Sequence, residues 1–275
     1  MNSAAVQADT GVASAGAPAL GETLAVLLAR DLADGEKAII GTNSDIQLAA
    51  CNLARLMQAP RLWWVSGPGG MVNPTRDHLL STADFENIES AEAWMDLPDM
   101  IDFIDWQIHF FDFAILSALQ VDRHGNINTV VVGEQAKPRV RGPGTVGISA
   151  LCGLAKRFYV VLTRHDRSAF RPRVDFICGA GHLEGGDSRV QAGLPPGGPK
   201  LVLSPLGVFD FEPQSKAMRV RSLSPGVTLE QVRDATAFDL LVEGTPPVSA
   251  LPTPHELALL RGHVDVRRTL ARKFP

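Results

Sequence analysis

Short apolar runs of strand length alternate with segments of helical period along most of this chain, and that alternation limits the fold more than any other feature. The runs "KAII" (37–40), "RLWWVS" (61–66), "FAILSALQV" (113–121), "FYVVLT" (158–163), "KLVLS" (200–204) and "AMRVRSL" (217–223) read as strands. Between them, "ETLAVLLARDLA" (22–33), "GTNSDIQLAACNLARLM" (41–57), "DMIDFIDWQ" (99–107) and "TLEQVRDAT" (228–236) have helical spacing. In the second helix, Ile46, Ala49, Ala50, Leu53 and Met57 form one apolar face, beside which Cys51 reads as core. Three helix starts carry a capping-box signature: Ser44 with Gln47, Thr228 with Gln231, and Thr253 with Glu256 behind Pro254. The pattern predicts an α/β fold with an open, largely parallel sheet flanked by helices. Residues 1–20, rich in Ala, Gly and Ser, read as a flexible tail, and 21–275 as a single domain.

The chain is 275 residues long with a formal net charge of −4, so it lacks the basic excess of a phosphate-binding surface and no nucleic-acid partner is expected. No apolar run reaches the ~18–20 residues of a membrane span, and the N-terminal stretch lacks the basic and apolar regions of a signal peptide. Cys51, Cys152 and Cys178 are scattered and form no CxxC pair, which fits free thiols in a reducing compartment, a bacterial-type cytoplasm.

Two glycine clusters stand out: Gly67, Gly69 and Gly70 in "LWWVSGPGGMVNP" (62–74), and Gly142, Gly144 and Gly147 in "RVRGPGTVGIS" (139–149). Glycine lets backbone N–H groups approach a ligand, although Gly-Pro-Gly is also ordinary turn chemistry. Neither cluster is a P-loop, because no GK[ST] follows. "HLEGGD" gathers His182, Glu184 and Asp187, but a solvated loop suits them better than a metal site, and no metal is expected. His124 suits a turn, and His165 with Asp166 suits a salt-bridged loop at the end of a strand. Residues 178–199, rich in glycine and proline, read as a long surface loop.

Four segments in order, "ALQVDRHGNINT" (118–129), "VRGPGTVGISALCGLAKRFYVVLT" (140–163), "LGVFDF" (206–211) and "LSPGVTLEQVRDATAFDL" (223–240), resemble the β subunit of class I CoA-transferases. The glutaconate CoA-transferase branch is the nearest, and the segment from 201 to 238 is particularly similar to the β subunit of the steroid-degradation ring-opening CoA hydrolase. The resemblance implies the α/β fold shared with ribose-5-phosphate isomerase, an α-subunit-like partner in a hetero-oligomer, and coenzyme A as part of an acyl-CoA substrate rather than a tightly bound cofactor.

In the family, the strand matching "LWWVS" ends in a loop whose glutamate attacks the acyl-CoA thioester. Here that position is Gly67, and glycine cannot act as a nucleophile. Glu86, Glu89 and Glu92 lie too far along the chain to be assumed substitutes. The resemblance therefore implies carbon–carbon bond hydrolysis with a base from the partner, with a transferase using another carboxylate, a decarboxylase or a non-catalytic CoA-binding subunit as alternatives. It places Ser66, Gly67, Gly142 and Gly144 at the reacting centre, with the amides around Gly142 and Gly144 facing the thioester. Trp64, Asn43, Gln120 and Gly69 are the expected substrate contacts.

Overall fold

A computed structural model describes residues 16–41, 44–67, 69–75, 79, 81–105 and 110–275. Its strands are β1 (Lys37–Ile40), β2 (Trp63–Ser66), β3 (Met71–Val72), β4 (Ala93–Trp94), β5 (Phe113–Ser117), β6 (Gln120–Asp122) and β7 (Ile127–Asn128). They continue as β8 (Val131–Glu134), β9 (Lys137–Arg141), β10 (Arg157–Val161), β11 (Phe170–Arg171), β12 (Pro199–Ser204), β13 (Gly207–Phe211) and β14 (Met218–Leu223). Helices are α1 (Leu20–Ala29), α2 (Asp45–Met57), α3 (Leu97–Asp105), α4 (Ile148–Leu154), α5 (Ser188–Gln191), α6 (Leu229–Ala235), α7 (Pro254–Leu259) and α8 (Thr269–Lys273).

Nine strands form one sheet in the order β14-β13-β12-β10-β5-β1-β2-β3-β4. Its centre, β12-β10-β5-β1-β2, is parallel, and antiparallel strands extend it at both ends. The central strands are apolar on both faces because both are covered. Ile40, Trp64, Ile115 and Tyr159 pack on the side of α1, α2 and α8, while Ile39, Val65, Leu116 and Val160 pack on the side of α3 and α4.

Two sequence expectations change. The run 113–121 is not one strand. It divides at Ala118–Leu119, where the chain leaves the main sheet and enters a three-stranded sheet, β11-β6-β7. Residues 178–199 are not a simple surface loop either, because Arg189 is buried in their midst. Its guanidinium donates to the carbonyls of Ala180, Gly181, Pro195, Cys152 and Gly153 at 2.8–3.0 Å, tying the segment to α4. The tail expected at 1–20 falls mostly on residues 1–15, outside the described residues.

The capping boxes at Thr228 and Thr253 form as expected. Ser44 occupies the N-cap of α2 but makes no side-chain cap bond, since Gln47 reaches away to Ser117 Oγ at 2.8 Å. Glu256 does more than cap its helix. Arg30 grips it with two 2.7 Å bonds from α1, and these hold its carboxyl down to about 2 against the opposing effect of burial. A carboxyl depressed in the folded state contributes stability above its unfolded value, near 4.5, and loses it as pH falls toward 2. Glu256→Gln should therefore lower stability to urea at neutral pH, with the deficit closing below about pH 4.5. A deficit unchanged down to pH 3 would assign the effect to packing instead.

Candidate functional site

The cavity that the parallel strands position lies at their carboxyl ends, where open α/β sheets bind ligands. It holds about 330 Å³. Gly41 and Ser44 wall it where β1 leads into α2, and Leu116, Ser117, Ala118 and Leu119 where β5 leaves the sheet. Thr129, Pro143, Gly144, Val146, Ile148 and Leu151 close the far side. Among the described residues no lining side chain is ionisable. Polar groups are few and held in place. Gln47 donates to Ser117 Oγ, leaving the Ser117 proton free to donate elsewhere. Thr129 Oγ1 donates to the Gly144 carbonyl at 2.5 Å and fixes the glycine loop.

A second cavity of about 370 Å³ shares Ser117, Ala118 and Leu119 with the first and reaches Asp45, Gln47, Thr163, Arg164 and Phe274. Ala118–Leu119, read as strand in the sequence, is thus the wall between two cavities. Another, of about 240 Å³, is lined by Gly67, Gly69 and Gly70 together with Phe85, Ile88, Trp94, Met100 and one carboxylate, Asp96.

The sequence-derived site residues separate among these spaces. Gly144 lines the first cavity at a φ of +104, with open space where a Cβ would stand. Gly142 sits at the loop's base, where a Cβ would strike the Thr129 carbonyl. The expectation that their amides face a ligand does not hold for these two N–H groups. Gly142 donates to the Val130 carbonyl at 2.8 Å and Gly144 to that of Thr129 at 3.3 Å. Their N–H groups close the loop instead of lining it with donors. The N–H groups of Val146 and Gly147, next along, make no hydrogen bond among the described residues.

Gly67 ends β2, and its N–H donates to the Ile40 carbonyl at 2.9 Å. A Cβ there would lie 3.2 Å from that carbonyl and 3.6 Å from the Ile39 side chain, on the sheet face that also carries Leu116 and Leu151. A Cβ at Gly69 would strike the Met71 side chain and come within 3.2 Å of Ser66 Oγ and the Thr82 carbonyl. Ser66 itself is buried and donates to the Thr82 carbonyl, so its hydroxyl is engaged.

Trp64 is not a substrate contact. It is wholly buried among α2 side chains, with Nε1 donating to Asn52 Oδ1 at 3.1 Å. Strand alternation sends Trp63 to the opposite face, where it packs on Phe110 and Phe111. Gln120 is likewise buried, joining Asn128 and Asp175 across the small sheet. Asn43 lies outside the described residues. Gln47, Ser117 and Thr129 escape a reading of the sequence because contact across about seventy residues of chain leaves no local signal.

His124, His165 and His182 are held in structural roles. His165 is no salt-bridged loop residue: its ring stacks on Phe170 at 3.6 Å between the hydroxyls of Ser204 and Thr236, and burial pushes it down to about 4. His182 is buried against Phe211 and similarly lowered to about 4, whereas Glu184 is exposed and paired with Arg173. Among the described residues no group of three His, Cys, Asp or Glu could hold a metal. His124 keeps its turn role, with Nδ1 at 3.0 Å from the Lys216 carbonyl. Burial pushes the Cys51 and Cys152 thiols up. No described helix is long and apolar enough to cross a membrane.

The chain is an α/β protein with a parallel central sheet and, at its carboxyl edge, a cavity in which no described lining residue is ionisable, and comparison with known proteins identifies its family. Residues 106–235 match the coenzyme A transferase family model. A subunit of the 3-oxoadipate CoA-transferase of Pseudomonas knackmussii is 38% identical over 243 residues, covering 87% of this chain and 91% of that one. The cholesterol ring-cleaving hydrolase IpdB subunit of Mycobacterium tuberculosis is 30% identical over 266 residues, 92% of this chain and 97% of the other. Glutaconate coenzyme A-transferase from Acidaminococcus fermentans shares the fold with a TM-score of 0.83 at 21% identity, covering 91% of this chain and 96% of that one. The chain belongs to the coenzyme A transferase family, as a β-type subunit.

The two glycines of the cavity loop should respond differently to substitution. Gly142→Ala sets a methyl group against the Thr129 carbonyl and should lower Tm by roughly 5 °C or more. Gly144→Ala meets no atom and should cost only its backbone strain, of order 1–2 kcal/mol. Thermal unfolding of both variants checks the ranking, and an equal or reversed loss would show that the loop rearranges.

Proposed function

We propose that this chain is the β-type subunit of a hetero-oligomeric enzyme that hydrolyses a carbon–carbon bond in an acyl-CoA thioester. The observation that carries the reading is chemical: no described residue lining the cavity at the carboxyl edge is ionisable, and the position that would hold a family nucleophile is Gly67, in a neighbouring cavity that also holds Asp96. A nucleophilic carboxylate cannot come from that loop. An α-type partner would supply the base, which takes a proton from water as the oxygen adds to a substrate carbonyl. The carbon–carbon bond then breaks, leaving a carboxylic acid and an enolate of the thioester, which takes the proton back. Donors fixed before the reaction stabilise such developing charge. Here the Ser117 hydroxyl, held by Gln47, and the unengaged N–H groups beside Val146 are suited to the task. The 30% identity to a ring-cleaving hydrolase subunit supports this reading.

The 38%-identical 3-oxoadipate CoA-transferase subunit supports a second reading, in which the assembled enzyme transfers CoA through a carboxylate brought by the partner. The two readings separate under trapping. A transferase passing through an enzyme–CoA thioester is modified by hydroxylamine or borohydride when its acyl-CoA is present and the acceptor is withheld. The assembled enzyme should keep its activity, and mass spectrometry should find no reduced or adducted carboxyl on either subunit. Substrate-dependent inactivation mapped to a carboxylate would establish the transferase reading. Gly67→Glu should suppress the native reaction without creating transfer, because covalent catalysis depends on placement within about an ångström. The backbone there has no positive φ, so the variant should fold.

A further inference from the structure

Behind the wall of the 330 Å³ cavity lies a buried thiol that takes no part in the lining, Cys178. Its backbone is held against β7. The N–H groups of Cys178 and Gly179 donate to the Ile127 carbonyl at 3.0 and 3.2 Å, and the Ile127 N–H donates to the Gly179 carbonyl at 3.0 Å. Gly179 permits this approach, because a Cβ there would strike both the Cys152 sulfur of α4 and the Ile127 side chain. The Cys178 sulfur therefore has little freedom to move.

A buried cysteine is ordinarily a small apolar side chain. This sulfur instead closes a set of hydrogen bonds. It accepts from the Thr129 N–H at 3.2 Å, and that N–H has no other acceptor among the described residues. Thr129 Oγ1 also lies 3.2 Å from it. Thr129 has one hydroxyl proton, which goes to the Gly144 carbonyl at 2.5 Å. The thiol proton is then the one available at the sulfur–oxygen contact, with the Ile127 carbonyl at 3.3 Å as its other acceptor. The sulfur thus holds Thr129 by its N–H and its hydroxyl, and Thr129 holds the carbonyl of Gly144.

We propose that Cys178 is a positioning residue for the cavity loop. Through Thr129 it sets the peptide plane between Gly144 and Thr145. The first turn of α4 sets the other end, where the Ile148 N–H donates to the Thr145 carbonyl at 2.7 Å and the Leu151 N–H to the Gly147 carbonyl at 2.8 Å. The N–H groups of Val146 and Gly147 lie between these two anchors and are aimed by them. The loop needs the first anchor, because open space surrounds Gly144 and glycine leaves its own backbone loose. Donors stabilise developing charge when they are fixed before it appears. The inference rests on the proposed function in one respect, that these N–H groups face the reacting carbonyl. Cys178 itself makes and breaks no bond in the reaction.

The test compares kcat, KM and Tm of the assembled enzyme with its acyl-CoA substrate, whichever reaction product analysis assigns to it. Cys178→Ala leaves the Thr129 N–H without an acceptor and should lower kcat roughly tenfold or more, while KM changes by less than about twofold. Cys178→Ser restores a donor and an acceptor at shorter reach and should recover part of the loss. Thr129→Val cuts the same path, so the double variant with Cys178→Ala should be no slower than the slower single variant. Cys51→Ala is the comparison: it opens a void in the core beside α2 and should lower Tm while the folded enzyme keeps its kcat. Losses that multiply in the double variant would overturn the positioning role. So would a Cys178→Ala enzyme that loses Tm as Cys51→Ala does and keeps its kcat. If Cys178→Ala does not fold, Cys178→Ser and Thr129→Val decide the matter by the same two criteria. Products of CoA transfer instead of hydrolysis would overturn the proposed function and leave the positioning role standing, since either reaction builds charge on a thioester oxygen.

Discussion

Every part of the site follows from one constraint: five parallel strands buried on both faces leave ligands only their carboxyl edge. Within β12-β10-β5-β1-β2 each backbone N–H and C=O is taken by the ladder, and both faces are filled with apolar side chains. A polar ligand has no place there. At the carboxyl ends the ladders stop, the chain turns, and backbone groups come free. The departure of the chain at Ala118–Leu119 widens that edge. Had residues 113–121 continued as one strand, the wall shared by the two main cavities would be sheet, and Ser117 would be one more ladder residue.

Much of this architecture is visible in the sequence, because period and composition are local. The apolar runs ending at Ile40, Ser66, Val161 and Ser204 are strands, and the helix through Ile46 and Met57 is a helix. What the sequence hides depends on distant pairing. "FAILSALQV" is uniformly strand-like, and nothing inside it signals the change of sheet after Ser117. The glycine-rich stretch 178–199 has the composition of a solvated loop, and only three dimensions show Arg189 collecting the carbonyls of two segments that converge on it. Gln47 is a capping-box residue by spacing, but a nearby serine hydroxyl captures it. The site is legible where glycine carries it and illegible where side chains do. Gly144 and Gly67 line cavities, whereas Trp64 and Gln120, whose chemistry suits a ligand contact, are core.

The two glycine loops are built for different reasons, although their sequences look alike. At Gly142 the side chain is excluded by contact: the backbone of 129 passes so close that no Cβ fits. At Gly144 space is open and the backbone is the constraint, since a φ of +104 is a region that other residues avoid. Gly67 shows neither feature. Its φ is ordinary and a Cβ would meet only one tight contact, at 3.2 Å from the Ile40 carbonyl. Folding therefore does not demand glycine at 67 as it does at 142.

Gly67 brings no side chain to its cavity, where the described carboxylate is Asp96. An uncharged cavity can orient a thioester and stabilise an enolate through fixed dipoles, but it cannot remove a proton from water. In the proposed reading the base comes from outside the chain, and it must come close, since proton transfer needs contact or one intervening water. Gly67 follows β2, which pairs with β1 on one side, and toward β4 the chain exposes Phe85 and Trp94 beside a strand edge that no described residue pairs. In a lone molecule that edge invites misassociation.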